Sequence, residues 1–233
     1  MNSHRPRPSD PAAGAWTSWT VLHRPAGHRA AASSSARAAT ADLRDVVAAL
    51  PEGVVLRGVY DVSGLRRDAD LMIWLVGRTP EQVQGALRSL RHATELVALE
   101  DTWAALGVHR PAEFSADHAP AYMRGTEPRA WLTVYPFVRS YDWYLLPDDE
   151  RRSMLAEHGG KGRRHTGVLA NTVAAFALGD YEWLLGLEAD DLTELVDLMR
   201  DLRSTEARRH VREEVPFFTG RRIGLDEVSE VLR

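Results

Sequence analysis

The chain has 233 residues, 44% of them hydrophobic, which is enough for one large hydrophobic core or two smaller ones. Its 27% charged residues and net charge of −4 give no electrostatic reason to expect nucleic-acid binding. Cysteine is absent, which excludes disulfides, thiolate-bound metals and covalent haem attachment. No apolar run reaches the roughly 18 residues that a membrane span needs. A sequence without cysteine is typical of a reducing compartment, so we expect a cytoplasmic protein without a membrane span.

Two segments carry little structural information. Met1–Gly14 contains arginines and prolines but lacks the apolar stretch of a signal peptide, so we predict a flexible tail. Gly27–Ala39 is rich in Ala, Ser and Arg. It is interpreted either as a loop or as the loose beginning of a helix.

Hydrophobic periodicity predicts a β-α-β-β-α-β order for residues 15–106. Apolar residues from Leu43 to Leu50 recur at i, i+3, i+4 and i+7, which is one face of a helix. The predicted elements are strand Trp16–His23, helix Thr40–Leu50, strands Val54–Val62 and Leu71–Val76, helix Thr79–His92 and strand Leu96–Leu106.

The same order recurs in residues 129–233. The predicted elements are strand Ala130–Val138, helix Pro147–His158, strands Thr172–Leu178 and Glu182–Glu188, a helix from Asp190 and strand Pro216–Arg222. Each half is typical of a ferredoxin-like unit, and two such sheets would pack together and bury the faces without helices. We therefore predict an α+β fold of two ferredoxin-like repeats, 15–106 and 129–233, joined by a connector loop at 107–128. Long connectors are often functional.

A histidine ends the inward face, as judged from spacing, of the predicted helix Pro147–His158. That face consists of Arg151, Met154, Leu155 and His158, followed by two glycines that are predicted to end the helix. A neutral imidazole facing a pocket can bind iron through one nitrogen while the other donates a hydrogen bond. The alternative is a partly exposed histidine that the negative end of the helix dipole stabilises.

The strand Ala130–Val138 combines aromatic side chains with a following arginine. Trp131, Thr133, Tyr135 and Phe137 share one face, and Arg139 comes next, followed by the aromatic residues Tyr141, Trp143 and Tyr144. Strand aromatics usually belong to a core. Phenols can also lose one electron, and guanidinium groups pair with carboxylates, as a radical enzyme with an anionic substrate would require.

Two further features allow more than one interpretation. The segment Gly159–Arg164 is basic and rich in glycine but does not match the phosphate-binding P-loop, so it is either a solvated loop or an anion-binding rim. His118 lies in the connector and is either exposed or placed over a pocket if that loop folds back.

Several blocks of the second half resemble the coproheme decarboxylases of the chlorite dismutase superfamily. These blocks are Tyr135–Phe137, Trp143–Pro147, Glu150–Arg152, Glu157–Gly159, Gly162–Arg163, Asp180–Trp183 and Pro216–Gly220. The first half resembles the family only in its order of strands and helices. The resemblance implies a dimeric α+β barrel made of two ferredoxin-like repeats. It also implies a homopentameric ring in which the C-terminal half binds haem.

The resemblance also implies roles for individual residues. His158 matches the axial iron ligand, and Tyr135 matches the tyrosine that becomes a radical and takes hydrogen from a propionate. Arg139 lies where the family has a basic side chain near the propionates. Trp143 and Arg200 are weaker candidates for lining the pocket.

One branch of the family uses a histidine of the connector to deprotonate peroxide, and His118 fits that description. An imidazole that titrates near neutrality is a suitable base for this step.

The implied reaction is the hydrogen-peroxide-dependent decarboxylation of two propionates of Fe-coproporphyrin III (coproheme) to vinyls. Coproheme is then substrate and redox centre, haem b is the product, and a ferrochelatase that supplies coproheme would be a transient partner. A haem carrier or sensor without turnover is an alternative. A second alternative is chlorite dismutase activity. In the family, this activity depends on a distal arginine that follows the helix with the axial histidine. The chain has no arginine between His165 and Met199.

Overall fold

The computed structural model describes residues 15–25, 41–111, 114 and 119–233. The predicted tail Met1–Gly14, the segment Gly27–Ala39 and His118 lie outside these ranges. Among the described residues there is no helix whose length and apolar character would let it cross a membrane.

Strands and helices alternate along the described chain much as the periodicity predicts. The strands are β1 (Trp16–His23), β2 (Val54–Asp61), β3 (Leu71–Gly77), β4 (Glu100–Val108), β5 (Trp131–Arg139), β6 (Leu169–Ala174), β7 (Trp183–Ala189), β8 (Val211–Glu213) and β9 (Phe218–Ile223). The helices are α1 (Leu43–Ala48), α2 (Pro80–Arg91), α3 (Asp148–Gly162), α4 (Leu192–Leu202) and α5 (Val228–Val231). Short 3-10 helices cover Ala121–Arg124, Trp143–Leu145 and Glu206–His210.

The sheet closes on itself. The first half contributes strands in the order β4-β1-β3-β2, and the second half contributes β6-β7-β5-β9, which is the same antiparallel ferredoxin-like arrangement. The halves join where Val59 of β2 pairs with Ile223 of β9 and where Val108 of β4 pairs with Ala174 of β6. Strand β8 extends β5 beyond this ring. The predicted α+β class is confirmed.

Strand β5 separates two environments. Leu132 and Val134 point into the closed sheet, where they pack with Trp19 and Trp74. Tyr135 points to the opposite side and packs against residues of β7 and α4. The alternation along this strand therefore delivers the phenol of Tyr135 to the layer between sheet and helices.

Local signals explain where the longer helices begin. The side chain of Thr79 accepts a hydrogen bond from the backbone N–H of Gln82 and caps α2, and Asp191 caps α4 through Thr193 in the same way. Helix α3 follows Pro147, and its first turn carries Asp148, Asp149 and Glu150, which complement the positive end of the helix dipole.

Several element boundaries differ from the sequence-based expectation; β4, for example, begins at Glu100 rather than at Leu96. Two of the differences have a visible local cause. Helix α3 does not end at Gly159 but continues to Gly162, because the Lys161 ammonium donates to the Ser204 carbonyl at 3.0 Å and holds the last turn. Strand β6 ends at Ala174 rather than near Leu178. Ala177 adopts a positive φ of 62°, which extended backbone does not allow, and a turn forms there.

Candidate functional site

Tyr135 is a buried phenol with a weak hydrogen-bond acceptor. Its backbone pairs with Leu185 of β7, and its ring is stacked on Phe217 with 4.4 Å between the centroids. The hydroxyl donates to the Met199 sulfur at 3.5 Å. Burial, together with the nearby Glu214 carboxylate, raises the pKa of Tyr135. The group is therefore a neutral phenol at physiological pH.

His158 has one ring nitrogen engaged by the protein. Its Nδ1 lies 3.3 Å from the Thr205 hydroxyl, and that hydroxyl donates its own proton to the Leu202 carbonyl at 2.9 Å. Since Thr205 can then only accept from the ring, we assign the proton to Nδ1 and the lone pair to Nε2. Burial lowers the pKa of His158, and the positive charge of Arg139 lowers it further. A neutral imidazole with a lone pair on Nε2 is the form that binds a metal ion.

Contacts between α3 and the segment after α4 fix the position of His158. The Glu157 carboxylate accepts from the backbone N–H of Glu206 at 3.0 Å. The Lys161 ammonium donates to the Ser204 hydroxyl at 2.8 Å. These contacts lie on either side of His158 in the sequence, so the imidazole is placed against Thr205 by its own helix.

Arg139 lies on a support of aromatic rings at the end of β5. Its guanidinium carbon lies 4.1 Å from the centre of the Trp143 ring and 5.0 Å from that of Phe137. The Glu182 carboxylate accepts from the Arg139 backbone N–H at 2.9 Å and from the Tyr144 hydroxyl at 2.9 Å. Stacking of this kind orients a guanidinium group.

Three of the residues selected from the sequence lie around one cavity of about 40 Å³. The lining consists of Tyr135, Arg139, His158, Met199, Leu202, Arg203, Ala207, Arg208, Val211 and Glu214. The phenol, the imidazole and the guanidinium thus converge, although they come from a strand and a separate helix.

Arg203, Arg208 and Glu214 form an ion-pair cluster in this lining that sequence analysis did not select. The Glu214 carboxylate accepts from one NH group of each arginine, at 2.5 Å in both cases. The two arginines follow α4 five positions apart, and Glu214 lies beyond β8. The spacing of these residues matches neither a helix nor a strand period, so periodicity does not indicate that they meet.

The remaining predicted residues lie elsewhere. Trp143 is buried beneath Arg139 and does not line the cavity, so it acts as a support. The Arg200 side chain is 80% exposed, pairs with Asp197 at 3.7 Å and borders a neighbouring cavity of about 430 Å³. Met199 and Arg203 line both cavities and therefore separate them. His118 is not among the described residues.

The fold and the site together define a class: an α+β protein with a closed sheet and a small cavity lined by a phenol, an imidazole and three guanidinium groups. The open Nε2 of His158 fits a metal ion, and the guanidinium groups of Arg139, Arg203 and Arg208 fit carboxylates.

Comparisons with known proteins narrow this class. The family model for chlorite dismutase matches residues 36–223. The coproheme decarboxylase of Mycolicibacterium smegmatis is 56% identical over 178 residues, which cover 76% of this chain and 77% of that protein. A putative heme-binding protein of Natronomonas pharaonis is 34% identical over 105 residues, 43% of this chain but 18% of that protein. The chain belongs to the chlorite dismutase family.

Solved structures show the same fold at low sequence identity. A mutant chlorite dismutase from Candidatus Nitrospira defluvii superposes with a TM-score of 0.78 and 21% identity, covering 95% of this chain and 97% of that one. This likeness extends over both ferredoxin-like halves. It supports the fold alone.

Proposed function

We propose that this chain catalyses the hydrogen-peroxide-dependent decarboxylation of two propionates of Fe-coproporphyrin III to vinyls, giving haem b. The observation that carries the proposal is the convergence of Tyr135, His158 and Arg139 on one cavity. The 56% identity to a coproheme decarboxylase supports the same activity.

Binding would use the two kinds of ligand that the cavity offers. His158 would ligate the iron through Nε2, while Thr205 accepts from Nδ1–H and so fixes the ring tautomer and orientation. Arg139, Arg203 and Arg208 would hold propionates through charge-assisted, two-pronged hydrogen bonds. Arg139 is placed for this by its stacking on Trp143.

The balance of the reaction defines what the protein has to do. Each propionic acid group loses carbon dioxide together with two electrons and two protons, and one hydrogen peroxide takes up these electrons and protons and becomes two water molecules. Bound coproheme supplies the one-electron oxidising power when it reacts with peroxide.

Tyr135 is the residue we propose as hydrogen acceptor. Because burial keeps its O–H protonated, the phenol must lose its proton with its electron, and the resulting radical then takes hydrogen from the propionate. The Met199 sulfur is a weak acceptor, so the phenolic hydrogen stays available for this step.

His118 is proposed, from the family resemblance, as the base that removes a proton from peroxide. An imidazole with an ordinary pKa near 6.5 is partly deprotonated at neutral pH, as such a base requires.

The test is to add peroxide to the protein loaded with coproheme and to follow porphyrin mass. Loss of two formic-acid equivalents per porphyrin supports the proposed reaction. An unchanged porphyrin indicates a haem carrier or sensor, and rapid consumption of added chlorite indicates a dismutase. Either of these two outcomes would overturn the proposal.

The proposed setting follows from the resemblance. We propose a cytoplasmic homopentamer that receives coproheme in transient contact with a ferrochelatase. Light scattering of the purified chain should give five times the mass of 26.0 kDa. A monomer at micromolar concentration would contradict the pentamer without affecting the chemistry.

A further inference from the structure

Glu214 occupies the centre of the cationic part of the cavity. It follows β8, its side chain is 13% exposed, and its carboxylate lies between Arg203 and Arg208. The same oxygen, Oε2, accepts from both guanidinium groups. The protein therefore already supplies a carboxylate at the point where two arginines converge.

The two arginines could bind a carboxylate of the ligand in the same way as they bind Glu214. Charge-assisted hydrogen bonds from guanidinium to carboxylate do not depend on whether the carboxylate belongs to a side chain or to a propionate. A propionate and Glu214 cannot occupy the same N–H groups at once. Binding through Arg203 and Arg208 thus requires that the existing ion pairs break.

The small size of the cavity also requires that the ion pairs of Glu214 break before a porphyrin binds. The space between Tyr135 and His158 is about 40 Å³, whereas sites for small-molecule ligands and cofactors typically measure about 300–1,000 Å³. Arg203 lies between this space and the neighbouring cavity of about 430 Å³, and Glu214 holds Arg203 in that position. Release of the Glu214 contacts would free Arg203, which is one of the two residues that separate these spaces.

We propose that Glu214 is an internal stand-in for a substrate propionate, which keeps Arg203 and Arg208 paired in the empty site and is displaced when a carboxylated porphyrin binds. The proposal rests on the proposed function and identifies a residue that determines specificity at that site. A porphyrin without carboxylates gains nothing from displacing Glu214 and is therefore selected against. The exchange involves no covalent step.

Equilibrium binding of the iron-free tetra-acid coproporphyrin III measures the exchange without any turnover. Titration into the purified protein, followed by quenching of tryptophan fluorescence, gives the dissociation constant. Glu214→Gln removes the competing charge while keeping the side-chain size. We expect it to lower the dissociation constant about tenfold, which corresponds to about 1.4 kcal/mol.

Glu213→Gln is the matched control. It makes the same change in charge one residue away, on β8, where the side chain is exposed. We expect its dissociation constant to stay within about twofold of the unsubstituted protein, because exposed charges are screened. The tetramethyl ester of coproporphyrin is the matched ligand control, and its affinity should be the same in the Glu214→Gln variant and in the unsubstituted protein.

Each outcome decides the proposal. Equal or weaker binding of the tetra-acid by Glu214→Gln, or an equal gain with Glu213→Gln or with the ester, would overturn it. If Glu214→Gln does not fold, as judged by circular dichroism, Glu214→Asp replaces it: its shorter side chain should give a smaller gain, and no gain overturns the exchange. A folded, unsubstituted protein that binds no coproporphyrin refutes the proposed function as well, whereas binding without the gain refutes the exchange alone.

Discussion

A buried ion pair between the two halves of the barrel carries a prediction with a defined magnitude. Arg57 of β2 donates to the Glu188 carboxylate of β7 at 2.7 Å, and the side chains are 8% and 0% exposed. The same carboxylate accepts from the Asn171 amide at 2.9 Å and from the backbone N–H of Arg129 at 3.1 Å. Glu188 is thus surrounded by donors, and it neutralises a guanidinium group that has little access to water.

Glu188→Gln keeps the volume but removes the charge and turns an NH₂ group toward existing donors. Breaking one partner of a buried ion pair costs about 3–5 kcal/mol. For a chain of this length, about 1 kcal/mol shifts Tm by about 2–4 °C, so we expect a decrease of about 6–20 °C. Urea denaturation followed by circular dichroism at pH 7 measures the free energy of unfolding.

The control for this prediction is Asp190→Asn, which lies two residues further along the chain. Asp190 pairs with Arg129 at 2.8 Å, but its side chain is 65% exposed. An exposed ion pair contributes less than about 1 kcal/mol. If Glu188→Gln cost no more than Asp190→Asn, the argument that this pair is buried and fully engaged would be refuted.

The site gives three further predictions. Tyr135→Phe should bind coproheme yet form no vinyl group, because the ring stays stacked on Phe217 while the hydroxyl that abstracts hydrogen is gone. A normal yield of haem b, measured by mass spectrometry, would show that Tyr135 does not have this role. His118→Phe should slow the reaction mainly at low peroxide concentration, through loss of the base, and an unchanged peroxide dependence would exclude that assignment. His158 has a lowered pKa in the folded protein, so its contribution to stability is complete above its ordinary pKa of about 6.5 and is lost as the pH falls through the lowered value. The test is to measure the free energy of unfolding of the unsubstituted protein and of His158→Gln from pH 7.5 to pH 5. The two values should converge at the acidic end, whereas parallel curves would contradict this cause.

Local pattern alone determined much of this protein. The alternation in β5 separates Leu132 and Val134 from Tyr135, and the structure buries the first two inside the barrel and directs Tyr135 toward α4. The 3.6-residue period places His158 on the same face of α3 as Arg151, Met154 and Leu155. These features depend on residues that are close in sequence, and the periodicities of strands and helices act over this short range.

Tertiary structure decided what surrounds those residues. Thr205 lies 47 residues from His158, yet it sets the ring tautomer, and Glu214 pairs with both Arg203 and Arg208. The closure of the barrel through β2 and β9 likewise joins strands from the two ends of the chain. Helix and strand periodicity does not encode these contacts, whether the partners are near or far in sequence, because they depend on how the chain packs in the complete fold.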